Sequence, residues 1–213
     1  MKVLIVGANG HTGRIAAEIL SRDSEHQAYA MIRSQEQQND MEALGAIPVI
    51  ADLEQEVDHA LKDMDAVIFA AGSGSKTGPE KTISVDRDGA IKIVDAAKKA
   101  GIKRFVMLSS MGSDYPEQGA KEMQHYYQAK HDADEHLKNS GLSYSIVRPG
   151  ALSFDDPTGK IVAQEKLESH KGSITRGDVA QVLVHSLTAA RTLNKSFEIL
   201  NGNVPIEEAI ENL

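Results

Sequence analysis

A strand-like run that breaks into three spaced glycines and then a helix constrains this chain more than any other stretch. In residues 3–14, VLIVGANGHTGR, the apolar run Val3–Val6 leads straight into Gly7, Gly10 and Gly13, and an amphipathic segment follows. Four consecutive apolar residues rich in Val and Ile read as a strand buried on both faces. Gly7 permits a tight turn, Gly10 lets the backbone approach a ligand, and Gly13 lets the helix pack near the strand. The amides at that helix start form an anion site suited to a pyrophosphate, with Asn9, His11 and Thr12 completing the loop. The strand before and helix after are the setting such a loop requires.

Beyond it, short apolar runs alternate with amphipathic stretches. The runs are 2–6, 27–32, 47–50, 66–70, 104–108 and 144–147, and helical patterns cover 12–21, 35–44, 55–61, 85–100 and 121–139. In 85–100, Ala90, Ile93 or Val94, and Ala97 recur at helical spacing as one buried stripe, and Gly101 stands just past its end as a terminator. Strand–helix alternation with wholly apolar strands implies a parallel sheet covered on both faces by right-handed crossovers. The predicted fold is therefore α/β, a single-domain, Rossmann-type doubly wound sheet over 1–213. After Gly150 the pattern is less regular: 161–164 reads as a short strand, 178–190 as a helix capped by Asp178, and 196–200 as a last strand. Residues 151–213 form a small C-terminal substrate region. The Gly72–Pro79 loop follows an apolar strand and lies at the carboxyl edge of the sheet, where ligands bind.

Composition narrows the function. The 213 residues contain no cysteine, which excludes disulfides, thiolate catalysis and Cys-based metal sites. The net charge is −8, and no basic cluster exceeds Lys98–Lys99 or Lys103–Arg104, which argues against nucleic acid as a partner. No run has the length of a membrane span or a signal-peptide core, so no membrane partner and a cytoplasmic location are expected. His125 and His131 lie six residues apart, nearly opposite on a helix, and read as surface residues; no metal is assigned.

Common dinucleotide folds end their second strand with an acid that holds the adenosine 2′-hydroxyl. Here Ala30-Met31-Ile32 is followed by Arg33-Ser34. A guanidinium suits a 2′-phosphate, which a carboxylate would repel, and Arg14 can reach the same group. NADP is thus expected over NAD. Asp52-Leu53 follows the third strand and either contacts adenine or caps the next helix. Small residues at Ala70, Ala71 and Gly72 let a cofactor lie across the sheet edge, or simply pack closely.

Tyr126-Tyr127-Gln128-Ala129-Lys130 sets a phenol and an ammonium four residues apart, about 40° around a helix axis. An ammonium there is expected to lower the phenol's pKa from about 10 and fit it for proton transfer. Leu108 ends the fifth strand, and the following Ser109-Ser110 puts hydroxyls at the ligand edge, where Ser110 can stabilise charge on a reacting oxygen. Ile146-Val147-Arg148-Pro149-Gly150 closes the sixth strand with a rigid turn on the nicotinamide side.

Glycine loop, serine after the fifth strand, Tyr-x-x-x-Lys and Arg-Pro-Gly in this order resemble the short-chain dehydrogenase/reductase superfamily, most closely its atypical NmrA-like or epimerase-like members. Val94-Asp95-Ala96-Ala97, Ser140-Gly141-Leu142 and Thr175-Arg176-Gly177-Asp178-Val179-Ala180 extend the likeness over the chain. The resemblance implies cofactor binding by Gly7, Gly10 and Gly13, Tyr126 as acid/base, Lys130 as its electrostatic and ribose-holding partner, and Ser110 as orienting hydroxyl. The chain departs at Met111-Gly112-Ser113-Asp114-Tyr115, which replaces the Val-Tyr-Gly turn usual in sugar epimerases, and at Asp86, where many members carry Asn.

The expected function is an NADP-dependent oxidoreductase moving hydride to or from a small carbonyl or hydroxyl compound. A redox-sensing regulator that binds dinucleotide and signals to a protein partner is one rival; an epimerase or dehydratase with tightly held NAD is another.

Overall fold

The computed structural model describes residues 1–74, 78–169 and 171–213. Strands β1 (Lys2–Val6), β2 (Gln27–Ile32), β3 (Ile47–Ile50), β4 (Ala66–Phe69), β5 (Arg104–Leu108) and β6 (Tyr144–Pro149) are the apolar runs of the sequence. They lie in the order β3-β2-β1-β4-β5-β6, every neighbouring pair parallel. The order reverses beside β1, so a crevice opens at the carboxyl ends of β1 and β4, the place where such sheets bind ligands. Beyond β6 the sheet continues through β10 (Lys195–Asn201, parallel), β8 (Lys160–Gln164, antiparallel) and β11 (Val204–Pro205). β7 (Ala151–Ser153) and β9 (Ser173–Thr175) form a separate parallel pair.

Helices cover both faces because alternate strand residues face opposite ways. Val3 and Ile5 of β1 join one core with α1 (His11–Arg22), α2 (Gln38–Ala43), α6 (Arg176–His185) and α7 (Ile206–Glu211). Leu4 and Val6 join the other, with α4 (Ala90–Ala100) and α5 (Gln124–Asn139). The predicted stripe Ala90, Ile93, Val94 and Ala97 is buried, and Gly101 ends α4 in the left-handed conformation at φ +72°.

Several elements differ from the sequence pattern. The 35–44 helix is a 3-10 turn, Gln35–Gln37, before α2, and 55–61 is only a 3-10 turn, Asp58–Leu61. A 3-10 turn, Lys121–Met123, precedes α5, so that helix starts at Gln124. The 85–100 helix begins earlier, with α3 (Pro79–Lys81) and a π-helical segment, Thr82–Gly89. β6 runs on through Pro149, which pairs with Ile199 of β10.

Asp178 does not cap the helix that follows. α6 starts two residues earlier, and Thr175 is its N-cap, accepting the Asp178 N–H at 3.0 Å. The Asp178 carboxylate accepts the Thr175 hydroxyl (2.9 Å), Thr158 N–H (3.0 Å) and Gly159 N–H (2.8 Å), which ties the 155–160 loop to the helix start. Removing it strands buried donors. Asp178→Ala is expected to lower stability by about 2–4 kcal/mol, read from urea unfolding midpoints; a loss well under about 1 kcal/mol would mean that the loop is held by other contacts.

Candidate functional site

The site is built on backbone contacts that leave no room for side chains. Gly7 adopts φ +86°, and a Cβ there would sit 2.5 Å from Ala71 N. A Cβ on Gly13 would sit 2.3 Å from Gly7 O, so α1 starts directly on the end of β1. Gly10 is the extended N-cap, closed by its N–H to Gly7 O at 2.9 Å; no side chain caps α1, and no acid occupies its first turn. The amides of His11, Thr12 and Gly13 therefore have no intrahelical acceptor, and the positive end of the helix faces the crevice. Asn9, Gly10 and His11 are exposed on its rim, while Thr12 is buried. An uncapped helix start in a side-chain-free cradle fits the diphosphate of a dinucleotide. Ala70 extends the β4 ladder through its N–H to Val6 O (2.8 Å), and Ala71 and Gly72 continue along the same rim.

On the β2 side of the crevice, Arg33 is exposed at the end of the strand; its backbone N–H donates to Gln37 Oε1, and Ser34 caps the 3-10 turn with its backbone alone. Arg14 sits in the first turn of α1, in a loose pair with Asp40 at 3.4 Å. Asp52 accepts the Glu54 N–H at 3.0 Å, which stabilises the turn after β3. Leu53 is packed in the core beside Gly89.

The reacting-group candidates converge at the end of β5. Ser110 follows that strand on the Tyr126 side, and its hydroxyl donates to Met111 O at 3.2 Å. Lys130, one turn along α5, is buried; its Nζ donates to Leu108 O (3.3 Å) and pairs with Asp86 Oδ1 (3.0 Å). The ammonium lies 5.8 Å from the Tyr126 ring centre. Asp86 is delivered by the π-helical segment, and its second oxygen accepts the Ser73 N–H at 2.9 Å.

The phenol shift runs opposite to the sequence reading. Burial raises the Tyr126 pKa above 10, Lys130 and the Ser110 hydrogen bond pull it down, and Asp86 pushes it up again, with a net rise. Burial likewise opposes the charge on Lys130, but Asp86 and then Tyr126 outweigh it and raise its pKa. The lysine is charged, yet a carboxylate offsets part of its charge.

Behind the site lies a buried network with a faint sequence signal, an arginine inside an apolar strand. Arg148 of β6 holds Asp134 of α5 at 2.9 Å and also binds Asp114. Asp134 accepts the hydroxyls of Ser109 (2.8 Å) and Ser113 (3.2 Å), which fixes the turn carrying Ser110. Pro149 O accepts the Met111 N–H at 3.0 Å from the same turn, and Gly150 is pressed against Leu200 and Gly172. His131, read as a surface residue, is half-buried with Nδ1 2.9 Å from Ser113 O; His125 is exposed. Phe154 covers the glycine loop, its ring 4.9 Å from that of His11 and under the Arg176 guanidinium at 3.8 Å. Of the Gly72–Pro79 loop and the 151–213 substrate region, residues 75–77 and 170 lie outside the described residues. Among the described residues, no helix is long and apolar enough to cross a membrane.

A family model for NAD(P)H-binding proteins matches residues 7–190, from the glycine turn to beyond α6. The chain belongs to this NAD(P)-binding, Rossmann-type family. It is 43% identical to a Bacillus subtilis (strain 168) protein described as the uncharacterised sugar epimerase YhfK, over the full length of both. Among solved structures, it is similar to "Putative NAD-dependent epimerase/dehydratase" from Bacillus halodurans, with 46% identity, TM-score 0.97 and full coverage of both chains. It is also similar to the oxidoreductase ylbE from Lactococcus lactis, with 35% identity, TM-score 0.87, and coverage of 100% of this chain and 96% of that one. These findings agree with the NmrA-like or epimerase-like resemblance read from the motifs.

The network behind the site has a pH signature. Burial disfavours ionised Asp114, but Arg148 and Lys166 outweigh it and hold its carboxyl below the ordinary 3.8. A depressed acid contributes stability above its unfolded pKa and loses it as pH falls through the folded value. Asp114→Asn is expected to cost about 1–2 kcal/mol at neutral pH, with the gap closing below about pH 4. Urea unfolding of both proteins at neutral and acid pH tests this; a gap that persists at low pH would rule out the carboxylate charge as its source.

Proposed function

We propose that this protein is an NADP-dependent oxidoreductase that transfers hydride to or from a small carbonyl or hydroxyl compound. The observation that carries the reading is the convergence of Ser110, Tyr126 and Lys130 at the carboxyl edge of β5, on the sheet edge that bears the glycine cradle. A bound nicotinamide supplies or accepts the hydride. The chain's own groups do the rest. The amides of His11, Thr12 and Gly13 bind the diphosphate. An ammonium has three donors; Lys130 donates to Leu108 O and pairs by charge with Asp86 at 3.0 Å, which leaves donor capacity for a ribose hydroxyl. Ser110 orients the reacting oxygen, and Tyr126 exchanges a proton with it. Arg14 and Arg33 at the adenosine end support a 2′-phosphate, and the absence of an acid directly after β2 removes the group that would repel it.

A second reading is favoured by the relatives described as epimerases, since oxidation followed by reduction at one carbon uses the same residues. The two differ in bookkeeping of the coenzyme: net NADPH is consumed only in reduction.

Binding is measured first, by calorimetry with NADPH and NADH, and turnover of a carbonyl panel is then followed by loss of NADPH. Tyr126→Phe is expected to cost roughly 10²–10⁴-fold in turnover with coenzyme affinity kept. Parent-like turnover in that variant sinks the role of Tyr126. Arg33→Ala is expected to weaken NADPH by about tenfold or more and leave NADH unchanged; equal weakening of both would remove the 2′-phosphate assignment.

A further inference from the structure

Asp86 places a buried carboxylate where it subtracts from the charge that the phenol feels. Its Oδ1 lies 3.0 Å from Lys130 Nζ, neither side chain is more than 5% exposed, and the Ser73 N–H fixes the other oxygen at 2.9 Å. The groups facing Tyr126 are Lys130 and Tyr127 from its own helix, Ser110 from the turn after β5, and Asp86 from Thr82–Gly89. Lys130 in turn faces Asp134, which Arg148 of β6 already balances. An unpaired ammonium beside a phenol would favour phenolate and so equip the site to take a proton from an alcohol. Here that push is offset in part at its source.

We propose that Asp86 offsets part of the Lys130 charge at the phenol, helping to keep Tyr126 as a loaded proton donor at neutral pH and biasing the site toward carbonyl reduction over alcohol oxidation. The inference rests on the reading of Tyr126 as the proton-transfer group. In the favoured direction the carbonyl carbon gains a hydride from a reduced nicotinamide, which is thereby oxidised. The carbonyl oxygen gains the Tyr126 proton, and the phenolate left behind is reprotonated from water. Burial is the main cause that raises the Tyr126 pKa above its ordinary value, and Asp86 adds to it against the pull of Lys130.

The test needs no coenzyme. Tyrosinate absorbance is titrated in the parent protein and in Tyr126→Phe, and the difference isolates one phenol. Circular dichroism along the same titration marks the onset of unfolding. The expected result is that Tyr126 is still protonated at about pH 10, or at the onset of unfolding if that comes first. Ionisation in the neutral range overturns the proposal. In Asp86→Asn, the uncompensated ammonium is expected to raise the ionisation constant of Tyr126 by about tenfold or more, a fall of one pH unit or more. An unchanged midpoint in a folded Asp86→Asn protein overturns the assignment to Asp86, and Asp86→Ala, read in the same way, decides where that variant does not fold. A purely structural role for Asp86 would lower the melting temperature without moving the midpoint. Because no coenzyme is present, a failed carbonyl assay counts against the oxidoreductase reading and leaves the charge offset standing.

Discussion

A methyl group on Gly7 would collide with the backbone of Ala71, and one on Gly13 with the carbonyl of Gly7. The ends of β1 and β4 and the start of α1 thus meet main chain to main chain, within distances no Cβ allows. That contact opens the crevice at the reversal of strand order and turns the α1 amides into it. It also fixes what the neighbouring strands can contribute. With β4 held against β1, residues 70–72 run along the rim, and the Ser73 amide reaches the Asp86 carboxylate. The glycine cradle and the charged part of the site are consequently one construction, joined through a few residues of backbone.

Helix α5 supplies the other half of that construction with a single stripe. Tyr126, Lys130 and Asp134 recur every four residues and share one face. Each meets a different partner from another element: Ser110 for the phenol, Asp86 for the ammonium, and Arg148 with Ser109 for the lower carboxylate. The stripe therefore positions the turn after β5 from two sides. Asp134 pins Ser109 and Ser113, while Lys130 holds Leu108 O, and Ser110 is left between them to face the phenol.

Elements whose pattern is enforced by burial could be read from the chain. β1, β4, β5 and β6 are buried along nearly their whole length because both faces are covered, whereas the edge strand β3 leaves Ile47 and Ile50 exposed, and the alternation of strands with helices dictates a parallel sheet. The glycine roles at Gly7 and Gly13 and the proximity of Ser110, Tyr126 and Lys130 were legible too. What was not legible is whatever depends on a specific partner distant in sequence. Nothing in 82–89 announces a π-helical turn, and without it Asp86 cannot be set against Lys130 by a 3.6-residue rule. The sign of the phenol shift was lost because four-residue spacing shows the ammonium but neither the burial that raises the phenol's pKa most nor the carboxylate that offsets the ammonium. The same holds at Asp178, whose acidity suggested a cap, while Thr175 three residues earlier takes that place and leaves the carboxylate to gather the 158–159 loop.

Energetics make a purely stabilising role for the Asp86–Lys130 pair a weak explanation of its presence. Two charges taken out of water each lose several kcal/mol of solvation, and their attraction only roughly repays this, so apolar residues of similar volume often serve stability as well or better. Arg148 with Asp134 shows what a buried pair does when it is structural: it gathers hydroxyls from the turn, adds Asp114 at its rim, and leaves few donors over. Asp86 gathers less, one amide and one ammonium among the described residues, and the remainder of its field acts on a phenol that no other carboxylate of those residues is seen to face. A group so placed changes the proton affinity of its neighbour more than it changes the cohesion of the fold. Of the two pairs flanking the end of β5, one therefore shapes the site and the other sets its polarity.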